Sequence, residues 1–170
     1  KVSTISPLGT DATKTITLGE SGGTLGIASG AKTSGFGKIG QVVENSSSTN
    51  FTNSSTTMAE LLNASITPTS TSSKILIHFH TNCQVNAGSN AYGRATVFRG
   101  TTSGTDLGAL IGGSAAGSNA NFPLTGTYID SPSTTSAQQY TLAMNTASGS
   151  TTSVTTDSTT YRLVLMEILD

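Results

Sequence analysis

The sequence has no tryptophan, a single cysteine and four prolines, and only 10% of its 170 residues are charged. Each shortage excludes something. One cysteine, Cys83, leaves no intrachain disulfide framework and no cysteine-rich zinc site. A formal charge of -1 gives no electrostatic footprint for wrapping nucleic acid or coating an anionic membrane. No apolar run approaches the ~20 residues a membrane helix needs, so membrane insertion is not expected. Helix formers such as Ala, Glu, Lys and Leu never dominate, which argues against a coiled coil or helical bundle. The opening KVSTISPLGTDATK lacks the apolar core of a signal peptide, and it opens on Lys1 rather than an initiator methionine, as a processed product or part of a longer chain would.

What is there is serine and threonine, roughly a third of all positions, with isoleucine and valine between them. Beta-branched side chains suit a pleated, half-buried surface, and the fold class expected is all-β. Two regions differ. Residues 1–37 carry short alternations broken by glycine: Thr15-Ile16-Thr17-Leu18-Gly19, then Gly22-Gly23-Thr24-Leu25-Gly26-Ile27. Strands this short cannot bury a core alone, so an ordered stalk would gain its order by pairing with copies of itself. A flexible Gly/Ser linker has the same composition but would waste Ile16, Leu18, Leu25 and Ile27.

Residues 38–170 read as a series of strands separated by turn residues, a β-sandwich head of jelly-roll type. About eight strands are expected. Seven of them are Lys38–Glu44, Lys74–His80, Ala91–Arg99, Leu107–Ile111, Phe122–Asp130, Gln138–Asn145 and Tyr161–Leu169. The tract 45–57 reads as a long loop or solvent-facing edge, and the window 56–63 (TTMAELLN) fits either a helix or a bulged strand. Side chains alternate across a strand. Ile75, Ile77 and Phe79 therefore face one way, and Leu76, His78 and His80 the other. The last strand is apolar on both sides apart from Arg162 and Glu167, as suits a central strand or one buried at a subunit contact.

Few residues point to chemistry. His78 and His80, two apart on one strand face, could share a metal ion, and three such pairs on a trimer axis would offer six nitrogens. A hydrogen-bonded or solvent-facing pair is the plainer expectation, because no carboxylate lies nearby at ligand spacing. The nine acidic residues form no recognisable pair for glycoside hydrolysis. No G-x-S-x-G elbow or phosphate loop occurs. No enzyme and no cofactor are expected. Tyr92, Tyr128 and Tyr140 could cradle sugars or simply pack at sheet rims. Tyr92 stands beside a turn running from Asn86 to Asn90, which makes Asn86, Asn90 and Tyr92 the receptor-binding candidates. Arg94 and Arg99 are five apart, on opposite faces, and form no anion clamp without a bend.

The segments ASITPTSTSSKILIHF, ATVFRGTTSGTDLGAL, GTYIDSPSTTSAQQYTLAM and YRLVLMEI resemble a C-terminal head domain of bacteriophage tail-fibre and other virion structural proteins, notably those of marine phages. KTITLGESGGTLGIASG and GFGKIGQVV are similar to the Gly-rich segment that joins such a head to its shaft. The resemblance implies a non-enzymatic homotrimer on the virion exterior, touching other virion proteins and a host surface glycan or protein. The loops 45–63 and 112–121 depart from the pattern, and receptor choice would lie there. A capsid decoration protein or head fibre is the alternative reading, and a cellular surface adhesin or filament subunit a further one.

Overall fold

The computed structural model describes residues 39–86, 91–108, 111–115, 120–146, 150–154 and 160–169. The expected stalk over residues 1–37 lies outside them, as does Asn90. Among the described residues every regular element is a strand. In chain order these are β1 (Ile39–Ser47), β2 (Phe51–Asn53), β3 (Ala59–Ile66), β4 (Lys74–Asn86), β5 (Ala91–Arg99) and β6 (Thr105–Asp106). There follow β7 (Ile111–Ala115), β8 (Ala120–Asp130), β9 (Gln138–Thr146), β10 (Thr151–Val154) and β11 (Tyr161–Ile168).

All strand pairings are antiparallel. Setting aside the short β2, β6 and β10, one sheet runs β1-β11-β4-β8 and the other β3-β9-β5-β7. That interleaving of first, last and middle strands between two sheets is the strand order of a jelly roll. The fold is an all-β, jelly-roll-like sandwich, as its sequence pattern indicates. We call the sheet containing β4 the front sheet and the one containing β9 the back sheet.

Period-two alternation builds the core. Ile75, Ile77 and Phe79 of β4 and Leu163 and Leu165 of β11 are fully buried against Leu142 and Met144 of β9. Each such aliphatic or aromatic side chain removed from water contributes about 1.5–3 kcal/mol. Cys83 joins them at 0% exposure. Gly93 of β5 packs directly against the front sheet: a Cβ there would stand 2.6 Å from Cys83 Sγ and 2.8 Å from Thr152 Oγ1.

Two open readings resolve and one expectation changes. The 56–63 window resolves to a bulged strand, since the register slips between Glu60 and Leu62 and buries Leu61 and Leu62 in succession. Leu107–Ile111 is not one strand: Gly108 takes a positive φ of 82°, its amide donates to Asp106 Oδ1 at 2.8 Å, and pairing resumes at Ile111. The 45–57 tract is not wholly loop, because β1 runs on to Ser47 and β2 pairs with β10.

Candidate functional site

Strand register decides which chain segments meet. Val85 faces Ala120 and Asn86 faces Thr151, while Ala91 faces Ala115 and Gly93 faces Thr146. The strand ends bordering 87–90, 116–119 and 147–149 are therefore gathered at one end of the sandwich. Asn86 and Tyr92 both stand at this end, so the structure brings together two of the three receptor-binding candidates. Tyr92 is half-buried, with the Arg94 guanidinium 5.0 Å from its ring centre, in cation–π range. Arg94 Nε in turn donates to Asn145 Oδ1 at 3.1 Å, which fixes the guanidinium over the ring. Asn86 Oδ1 is buried and accepts no hydrogen bond among the described residues.

The other tyrosines are occupied. Tyr140 is fully buried, and its hydroxyl donates to Asp130 Oδ2 at 2.7 Å. Tyr128 stacks on Phe79 with ring centres 6.1 Å apart. Neither offers an open platform for a sugar, and of the three Tyr92 alone stands at a strand end of the edge that borders 87–90, 116–119 and 147–149.

His78 and His80 project from the front sheet's outer face and are exposed, as alternation requires. His78 Nδ1 shares a hydrogen bond of 2.9 Å with Thr127 Oγ1. His80 lies across from Arg162, its register partner on β11. With Val164 and Thr125 these residues line a shallow cleft of about 510 Å³. Among the described residues no group of three His, Cys, Asp or Glu side chains is placed to hold a metal. One subunit thus contributes two imidazoles, and a complete coordination sphere would draw on other copies. The Cys83 thiol is pushed up to about 12 by burial, which keeps it protonated and unreactive.

Two buried carboxylates escaped the sequence reading. Asp130, at the end of β8, accepts from Arg99 Nε at 2.8 Å and Nη2 at 2.5 Å, and from the Tyr140 hydroxyl. Burial pushes its pKa up, but the hydrogen bonds from Arg99 and Tyr140 outweigh that and hold the carboxyl below its usual range. Glu167 is wholly buried on the inner face of β11. Its Oε1 accepts from Thr69 N at 2.6 Å and Thr69 Oγ1 at 2.8 Å, and its Oε2 from Gln41 Nε2 at 2.8 Å. Burial pushes this carboxyl up, and the donors from Gln41 and Thr69 bring it below the ordinary value. Both are structural ties: one joins β5, β8 and β9, the other joins β1, β11 and the 67–73 connection. The available signal was Glu167 itself, a charge sharing a strand face with Leu163 and Leu165.

No protein-family model and no curated protein matches the chain. Among solved structures it is similar to VP2 of infectious bursal disease virus in a subviral particle. That match has 12% identity and a TM-score of 0.36, and covers 76% of this chain and 37% of that one. It is also similar to a chain of the Gx strain of the same virus, at 11% identity and a TM-score of 0.37, covering 78% and 39% respectively. A third likeness is to a chain of Bacillus endospore appendages, described as disulfide-linked pili. There the identity is 13% and the TM-score 0.28, over 82% of this chain and 98% of that one. The chain spans about two fifths of the length of the viral chains. These neighbours are a viral capsid protein and a pilus-like appendage rather than tail-fibre heads.

Proposed function

We propose that this chain is an exterior structural part of a virion, the homotrimeric head of a tail fibre or spike, which attaches to a host surface through the loop-bearing end of its sandwich. The observation that carries the reading is the register: it gathers the ends of β4, β5, β7, β8, β9 and β10 at one edge, with Tyr92 and Asn86 among them. Loops on a rigid sandwich are where binding residues concentrate, because the scaffold fixes their ends while their sequences vary freely. The surface chemistry agrees. Short Ser, Thr and Asn side chains hydrogen-bond to nearby backbone, so the exterior is hydrated without charge and little affected by salt.

Binding of the fluorescently labelled chain to host cells tests this. The parent should bind saturably, and Tyr92→Ala combined with Asn86→Ala should weaken binding roughly tenfold or more, as loss of an aromatic anchor does. Ser70→Ala with Thr101→Ala, at the opposite end, should leave binding unchanged. Equal binding by both double variants would remove the loop-bearing end from the account.

A further inference from the structure

The two outer faces of the sandwich are finished differently. On the back sheet the chain roofs itself. Thr96 Oγ1 donates to Asp106 Oδ1 at 2.6 Å, Thr141 Oγ1 to Gly100 O at 2.6 Å, and Asn145 Nδ2 to Thr56 O at 2.5 Å. Thr96, Thr141, Ala143 and Asn145 are consequently buried although they point away from the core.

The front sheet has no such cover among the described residues. Val42, Met166, Leu76 and Ile129 stand in register across four strands, forming one apolar row. Ile39 and Ile168 extend it on one side and Val164 on the other. Ile39, Val42 and Ile129, at 58%, 56% and 63% exposure, are the exposed large hydrophobics among the described residues, and all three lie on this face. Single exposed aliphatics are ordinary, but a contiguous row of them marks an interaction surface.

We propose that this face is covered by a second copy of the chain. The inference rests on the self-association proposed above and names the surface that produces it. Charge selects the occupant. Glu44 and Arg162 sit on the same face and are ion-paired to each other, so these two charges cancel within the subunit. Among the described residues Lys74, in register with Ile168, adds one unpaired charge at the border of the row. A copy of the same face meets charge only at that border, whereas a strongly charged partner finds little counter-charge across the row. Size agrees. Four strands about 4.8 Å apart, over four alternate residues of β11, span roughly 500 Å² in plan. Three such faces turned toward a common three-fold axis bring together roughly 1,500 Å², above the roughly 1,000 Å² a lasting protein contact must reach.

The test is light scattering on the parent and on Val42→Thr/Ile129→Thr, across a wide concentration range. Threonine keeps the strand preference while removing apolar surface, and Val42→Glu/Ile129→Glu is a harsher second variant. Circular dichroism and melting establish that each variant folds. The parent should be an oligomer, and the threonine variant should need roughly a hundredfold higher concentration to assemble. The glutamate variant should remain monomeric. An oligomeric parent whose folded variants assemble unchanged would overturn the assignment of this face and leave self-association standing. A parent that stays monomeric throughout would overturn both and leave the face to a different partner. In neither case is attachment through the opposite edge touched, since cell binding reads that separately.

Discussion

At the scale of single residues, the molecule depends on carboxylates placed where carboxylates are costly. Asp130 and Glu167 are buried, and each is held charged by donors from several separate elements. A buried charge without such donors would cost several kcal/mol, so the donors and the acid stand or fall together. The folded protein favours the ionised form of both, since both carboxyls lie below their ordinary values. Their contribution is complete above the unfolded values near 4 and is lost as pH falls through the lower folded values. The melting temperature should therefore be level from about pH 7 to 5 and fall steeply below about pH 4. Asp130→Asn and Glu167→Gln should each cost about 1–3 kcal/mol at pH 7 and flatten the acid limb. Melting curves against pH check this, and unchanged acid limbs in both variants would contradict it.

At the scale of elements, alternation made the long strands legible and composition hid the short ones. Lys74–His80 and Tyr161–Leu169 alternate large aliphatics, and both the strands and the facing of their side chains follow from that pattern. The structure extends the first to Asn86, where Thr81, Asn82 and Gln84 blur the alternation. Phe51–Asn53, Thr105–Asp106 and Thr151–Val154 are too short and polar to show a period, so β2, β6 and β10 went unread. The bulge at Leu61 imitates helical spacing because it buries two neighbours in succession. Of the candidate site, the turn-side placement of Tyr92 and Asn86 was legible. Their union with the 115–120 and 146–151 strand ends was not, because it depends on register between distant strands. Gly93 is an element-scale constraint of the same kind. Gly93→Ala should cost about 1–3 kcal/mol by overpacking against Cys83 and Thr152. Adding Cys83→Ala should recover part of that, with Thr152 still crowding the site. A Gly93→Ala protein melting within about a degree of the parent would show the sheets to be farther apart.

At the scale of the whole molecule, one sandwich carries three different surfaces. The back face is roofed by the chain's own polar segments, the front face carries an apolar row with little unpaired charge, and one end gathers the strand ends that border 87–90, 116–119 and 147–149. A part that assembles through its front face and meets the host through its loop-bearing end needs little net charge and no reactive group. The scarcity of charge in the sequence fits that division. A jelly roll by itself does not fix a role, since the same architecture serves unrelated functions. Position on the particle discriminates most directly. Electron microscopy of virions labelled with antibody against residues 39–169 should place the label at the distal tips of tail fibres or spikes. Label confined to the capsid lattice would instead make the chain a decoration protein or head fibre, and label on cell surfaces alone would contradict a virion role altogether.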